Sequence, residues 1–244
     1  MRLQTSRETL LKPLQHVIGV VERRHTLPIL ANVRLIAKDG GLLLTASDLE
    51  VELSANAAVP VEEPGGITFP ARKMLDILRA LPEAATVSLA VENDKLQVRC
   101  GRSRFSLLML PVEDFPVMDE AAFDGQVRLS QTALKGLIDH THFAMAQQDV
   151  RYYLNGLLLE ITDDKVTAVA TDGHRLALED TAAAVDCPGG RQVIVPRKGV
   201  QELLRLLGEA DDEADIRVSP THLQVTLGDS HFTSKLIDGK FPDY

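Results

Sequence analysis

The chain is written twice. The segment LPILANVRLIAKDGGLLLTASDLEVEL, Leu27 to Leu53, returns in altered form as RYYLNGLLLEITDDKVTAVATDGHRLAL, Arg151 to Leu178. FPARKMLDILRAL (Phe69 to Leu81) is echoed by VPRKGVQELLRLL (Val195 to Leu207), and DKLQVRCGRSRFSLLML (Asp94 to Leu110) by THLQVTLGDSHFTSKLI (Thr221 to Ile237). Phe115-Pro116 has its counterpart in Phe241-Pro242. Matching order over nearly the whole length means two copies of one domain, and whatever the fold does it must do twice.

The 244 residues are 45% hydrophobic and 25% charged, enough for two cores of roughly 120 residues each. No apolar run approaches the roughly 18 residues that span a bilayer, and MRLQTSRETL lacks the apolar stretch of a secretory signal, so a cytoplasmic location is expected. Cys100 and Cys187 occupy unrelated positions of the two copies without C-x-x-C spacing and read as free thiols. A net charge of -9 excludes a surface that grips nucleic acid all over, because phosphate contact requires positive charge. Any nucleic-acid contact is therefore local.

Each copy reads as one amphipathic helix followed by three short strands, then the same again. The first helix carries Leu10, Leu11, Leu14, Val17, Ile18 and Val21 at helical spacing, after a capping box in which Thr5 caps and Glu8 reaches back. Pro13 lies inside it, at a cost of up to about 3 kcal/mol unless the helix bends or starts later. Its counterpart, capped by Ser130 and carrying Leu134, Leu137 and Ile138, has no such proline. Shorter helices follow Pro70 and Pro196, where the missing N–H has no helical partner to lose. VRLIA–KDGG–LLLTA and LLLEIT–DDK–VTAVAT read as antiparallel hairpins, and GRS (Gly101 to Ser103) and GDS (Gly228 to Ser230) mark two more at matching places. PVMDEAAFDG, Pro116 to Gly125, links the copies. The fold class is α+β, helices laid on one side of antiparallel sheets. Arg7, Lys12, Arg23, Arg24, Arg72, Lys73, Arg79, Lys135, Arg197, Lys198 and Arg205 gather on or beside the helices, either as solvated faces or as a local positive surface.

The string nearest to an enzyme is Thr171-Asp172-Gly173-His174-Arg175, an acid, a base and a cation after a strand. The first copy has Thr45-Ala46-Ser47-Asp48-Leu49 there, so the aspartate is shared and reads as structural, accepting hydrogen bonds from nearby backbone N–H groups. His174 and Arg175 belong to the second copy alone, so the fold does not require them. Gln147-Gln148-Asp149-Val150-Arg151-Tyr152-Tyr153-Leu154 is also private to that copy. Its interleaved aromatic and cationic residues suit base stacking and phosphate contact, or else simply core and edge. His140 and His142 point to different helical faces, and no metal site is expected. No phosphate-binding glycine loop, dinucleotide fingerprint or nucleophile elbow occurs, and no cofactor is expected. A small metal-dependent hydrolase or nuclease using Asp172 and His174 stays open as the rival reading.

HTLPILANV, TASDLE, FPARK, GRSRFSL, VRYYLNG, ATDGHRLAL, VPRKG and KFPDY, taken together, resemble the β subunits of bacterial DNA polymerase III, the sliding clamps. The similarity covers the whole chain in the right order. A family chain has three such domains, two chains close head to tail into a ring around duplex DNA, and this sequence resembles the first two, 1–120 and 121–244. The resemblance implies the clamp fold, with helices lining an inner face and sheets forming the outer wall, and a non-catalytic processivity factor for the replicative polymerase.

Carried over position by position, the resemblance implies DNA contacts at Arg24, Arg72, Gln148, Tyr152 and Tyr153. It implies a pocket for short peptide motifs at Leu154, Thr171, Gly173, His174, Arg175, Leu176 and Pro242, with an apolar floor from Leu154, Leu176 and Pro242. The ring-closing surface would be Lys73, Ile77, Phe105 and Leu107, the last two alternating on one face of an edge strand. The implied partners are double-stranded DNA, the polymerase III catalytic subunit, the clamp loader, other polymerases and mismatch-repair proteins, with a homodimer for the full-length protein and no membrane. Without a third domain this stretch is expected not to close a ring by itself. A specialised clamp paralogue is an alternative with the same sequence pattern.

Overall fold

A computed structural model describes residues 1–22, 26–38, 40–118, 121–208 and 212–244. The chain divides into two compact units, Met1–Met118 and Asp119–Tyr244. In the first, β1 (Arg2–Ser6) runs into α1 (Arg7–Val17), followed by β2 (Asn32–Lys38), β3 (Gly41–Ser47), β4 (Val51–Ala58) and the short β5 (Val61–Glu63). β6 (Gly65–Pro70) then runs into α2 (Ala71–Ala80), followed by β7 (Thr86–Glu92), β8 (Lys95–Cys100) and β9 (Ser103–Leu108). The strands pair antiparallel in the orders β5-β1-β7-β8-β9 and β4-β3-β2-β6.

The second unit repeats this scheme. β10 (Gly125–Ser130) precedes α3 (Gln131–Asp139), then come β11 (Gly156–Ile161), β12 (Lys165–Thr171), β13 (Leu176–Ala182) and the short β14 (Ala184–Asp186). β15 (Arg191–Pro196) precedes α4 (Arg197–Leu206), then β16 (Glu213–Val218), β17 (His222–Leu227) and β18 (Ser230–Lys235). Its orders, β14-β10-β16-β17-β18 and β13-β12-β11-β15, match the first unit strand for strand.

Alternation builds the cores. Leu35 sits opposite Leu44, and Leu44 opposite Ala55, all buried on the sheet face that meets the helices. Leu10 and Leu14 of α1 and Met74 and Leu78 of α2 converge there with Leu35, Leu44, Phe69 and Leu89. The helices of each unit pack in pairs, α1 on α2 and α3 on α4. Arg72, Lys73, Asp76 and Arg79 are left on the exposed side of α2.

The expected cap is displaced by one residue. Ser6, not Thr5, caps α1, its Oγ accepting from the Thr9 N–H at 3.1 Å, because Thr5 is already paired with Val87 in the sheet. Glu8 pairs with Arg7 rather than reaching back. Pro13 does sit inside α1, on its buried side, and the helix continues to Val17 regardless. Ser130 caps α3 as expected, accepting from the Ala133 N–H at 3.2 Å, and Pro70 and Pro196 are the N-cap residues of α2 and α4. The hairpin glycines Gly101 and Gly228 take φ of +53° and +57°. Both cysteines are free. No described helix is long and apolar enough to cross a membrane.

Each unit closes with a strap. In the first, Thr68 Oγ1 donates to the Leu110 carbonyl at 2.8 Å and accepts its N–H at 3.0 Å, Phe115 is buried, and Glu52 accepts the Met118 N–H at 3.0 Å. Burial raises the Glu52 pKa, against the lowering effects of the Met118 N–H and nearby Arg34. In the second, Ile237 N–H bonds to the Ile194 carbonyl, and Phe241 packs with Ala146, Leu154, Leu158, Val169 and Ile194.

Candidate docking surface of the second unit

The turn after β12 is built from two short side chains that replace water at backbone donors. Thr171 Oγ1 accepts the Gly173 N–H at 3.1 Å and donates to the Arg175 carbonyl at 2.7 Å. Asp172 Oδ1 accepts the N–H groups of His174 and Arg175 at 2.9 and 3.0 Å, and its Oδ2 accepts Arg175 Nε at 3.0 Å. Those bonds, the backbone N–H of His174 first, lower the Asp172 pKa. Asp48 does the same work in the first unit, accepting the Glu50 and Val51 N–H groups at 2.9 and 2.7 Å. Both aspartates hold turns, as their shared position implied. Three hydrogen bonds take up most of the Asp172 carboxylate's acceptor sites and lower its proton affinity, the opposite of what a general base needs. Among the described residues there is no group of three or more residues that could hold a metal ion.

A loop from Gln147 to Asn155 abuts this turn. Asp149 and Asn155 brace it reciprocally, the Asp149 N–H donating to Asn155 Oδ1 and Asn155 Nδ2 to the Asp149 carbonyl, both at 2.9 Å. Asp149 also takes Arg151 in a fork, Oδ1 to Nε at 3.0 Å and Oδ2 to NH2 at 2.8 Å. The side-chain fork with Arg151, above all, lowers the Asp149 pKa to about 2. Arg151 NH2 continues to the Asp172 carbonyl at 3.3 Å. Gly173, at φ +87°, leaves the space that this guanidinium fills: a Cβ there would stand 3.1 Å from NH1 and NH2.

The structure brings most of the second unit's expected site residues together and ranks them by exposure. Gln148 (φ +56°), Gly173, His174, Arg175 and Pro242 are exposed, as are Tyr152 at 56% and Leu176 at 49%. Tyr153 is half-buried with its ring edge-on to Tyr152, centroids 5.8 Å apart, and Gly239 lies against both tyrosines. Leu154, expected in an apolar floor with Leu176 and Pro242, lies deeper than either. It is 2% exposed, enclosed in the cluster under Phe241, and supports the surface from beneath. One residue of this surface escaped the sequence: Phe143, 51% exposed, whose carbonyl accepts Arg175 NH2 at 2.8 Å and whose ring lies 5.7 Å from that guanidinium. Its HFAM context carries no periodicity or motif that would have marked it.

In the first unit, Arg24 lies outside the described residues. Arg72 is exposed on α2 and donates to the Val21 carbonyl at 2.8 Å. Lys73 is exposed, Ile77 buried and Phe105 half-buried. Leu107, expected on an open interface, is 3% exposed, covered by its own unit, while its neighbour Leu108 is 70% exposed on the other face of the edge strand β9.

A family model of the DNA polymerase III beta subunit N-terminal domain matches residues 1–119, and one of its central domain matches residues 128–243. The beta sliding clamp of Pseudomonas aeruginosa is 52% identical over 245 aligned positions, covering 100% of this chain and 67% of the relative. The chain belongs to the beta sliding clamp family. The Escherichia coli K12 clamp is 48% identical with the same coverage, so this chain spans about two thirds of its clamp relatives. Crystal structures agree: the P. aeruginosa polymerase III subunit beta superposes with a TM-score of 0.97, over 100% of this chain and 67% of that one. The Caulobacter crescentus subunit, 43% identical, gives 0.95 over 100% and 68%. A P. aeruginosa clamp bound to griselimycin, 52% identical, gives 0.96 over 100% and 66%. The family carries this duplicated helix-and-sheet fold, and its members are beta subunits of DNA polymerase III.

Proposed function

We propose that this chain supplies two domains, 1–120 and 121–244, of a non-catalytic clamp subunit that closes with a second copy around duplex DNA and keeps a polymerase on its template. The exposed polar side of the helices would face DNA, with Arg24, Arg72, Gln148, Tyr152 and Tyr153 in contact with it. Loose contact suits a ring held by topology, because sliding requires that no phosphate be gripped strongly. Lys73, Ile77, Phe105 and Leu107 would lie at or beneath the ring-closing edge. A cytoplasmic location fits this role.

The surface formed by Gly173, His174, Arg175, Leu176 and Pro242 over buried Thr171 and Leu154 would receive short motifs from the polymerase catalytic subunit, the clamp loader, other polymerases and mismatch-repair proteins. The observation that carries this is the difference between the copies: the fold needs the aspartate of each turn, yet only the second copy adds His174, Arg175 and the 147–155 loop around it. Exposed Leu176 and Phe143 offer contacts for hydrophobic anchors, and Arg175 offers polar orientation.

The test is fluorescence anisotropy of a labelled peptide ending in a Gln-Leu-Phe-like motif, titrated with the chain and with Leu176→Asp. Leu154 is unsuitable for substitution because it is core. Saturable binding near micromolar affinity, about -8 kcal/mol, and its loss in Leu176→Asp are expected. Equal binding to both proteins would place the motif elsewhere.

A further inference from the structure

We infer that Asp149 is a positioning residue for the Thr171–Arg175 turn, acting through Arg151, and that this link makes the 147–155 loop and the turn one mechanical body. The inference rests on the docking role proposed for that turn. Arg151 is the joint. Its guanidinium is held by both Asp149 oxygens and passes a further hydrogen bond to the Asp172 carbonyl, directly beneath the two N–H groups that Asp172 Oδ1 collects. Gly173 is open on the side where Arg151 lies, so the guanidinium packs against the turn backbone with no side chain between. Asp149 is fixed in turn by its reciprocal bonds with Asn155 and by accepting the Arg151 N–H at 2.8 Å. His174 is close enough for its charge to act on the Asp149 carboxylate.

Among the described residues the first copy shows no such joint. The positions of Arg151 and Asn155 are held there by Leu27 and Ala31, neither of which has a side chain able to form these bonds. The link is therefore an addition to the fold rather than a requirement of it. Its two ends are the residues proposed to meet two different ligands: Gln148, Tyr152 and Tyr153 on the loop, and His174 and Arg175 on the turn. Through this connection a displacement at one end is passed to the other, and by thermodynamic reciprocity whatever factor one ligand changes the other's affinity by is returned.

The experiment is a pair of titrations with the same Gln-Leu-Phe-like peptide, one read by anisotropy and one by backbone amide and arginine Nε–Hε NMR, on the chain, Asp149→Asn and Arg151→Lys. Arg151→Lys keeps the charge but cannot fork, so it tests the geometry if Asp149→Asn folds poorly. In the unsubstituted chain, peptide should shift the amides of Gln148 and Tyr152 together with that of His174. In both variants the loop shifts should vanish while the turn still responds, and affinity should fall roughly five-fold or more. A structural role alone would not uncouple the loop shifts. Unchanged affinity and unchanged loop shifts in Arg151→Lys, which has no fork to form, or in Asp149→Asn once its Arg151 Nε–Hε signal reports a broken fork, would overturn the inference and leave the docking role standing. Failure of the unsubstituted chain to bind peptide would overturn both.

Discussion

Between β3 and β4 the first unit turns through Asp48, Leu49 and Glu50, and between β12 and β13 the second turns through Asp172, Gly173, His174 and Arg175, one residue longer. Each aspartate accepts the N–H groups two and three residues ahead, and each preceding hydroxyl, Ser47 or Thr171, accepts the N–H two ahead. Even the residue after the aspartate has the same backbone, φ +79° at Leu49 and +87° at Gly173. Since Leu49 tolerates that conformation, positive φ alone does not demand glycine at 173. What adds to it at 173 is the Arg151 guanidinium, which would stand 3.1 Å from a Cβ and would have to give way to one. One turn is thus a closed structural corner and the other is the same corner opened to receive a neighbouring loop.

The largest expected effect comes from removing the shared element where it is most buried. Asp48→Ala leaves two N–H groups without their acceptor in a part of the first unit shielded from water, and should cost about 2 kcal/mol in denaturant unfolding. Asp172→Ala should shift the midpoint less, because that side chain is partly exposed and water replaces it. A larger loss at Asp172 than at Asp48 would break the view that the first turn is the structural one.

Exchanging the middle residues sharpens the comparison. Gly173→Leu adds backbone strain of about 1–2 kcal/mol and drives Arg151 from its place, so both stability and peptide affinity should fall. Leu49→Gly relieves strain but frees the unfolded chain and gives up a half-buried side chain, and should stay within about 1 kcal/mol of neutral. Thermal melts of the two single variants check this, and a gain in Leu49→Gly as large as the loss in Gly173→Leu would show that φ, not Arg151, sets the choice of glycine.

Much of this was legible in the sequence because duplication doubles every signal. The shared aspartate, the hairpin glycines and the capping Ser130 were each read against a second copy. The strands before each helix were not legible: β1 buries only Leu3 completely, and β6 is GGITFP, whose glycines and proline argue against a strand. Leu107 reads as surface because alternation gives a face but not what covers it, and Leu154, implied by the resemblance as part of a pocket floor, is enclosed by residues distant in sequence such as Phe241. The Asp149–Arg151–Asp172 link was hidden for the same reason: its ends are 23 positions apart and meet only once two loops are folded side by side.

The two turns should also part company in acid. The Asp149 carboxyl is lowered to about 2 by Arg151, against an ordinary value of 3.8. A depressed carboxyl contributes stability above its unfolded pKa and loses it as pH falls through the folded one. The fork should therefore be whole above about pH 4 and should open as pH drops toward 2. Carbon-detected NMR of the Asp149 carboxyl, followed alongside the His174 and Glu50 amides, reads this directly. His174 should shift with the Asp149 titration because its turn hangs on Arg151, while Glu50, whose turn shows no such neighbour among the described residues, should not follow it. An Asp149 carboxyl titrating near 4 would mean that the fork does not persist in solution, and the second turn would then be no more tied to its loop than the first.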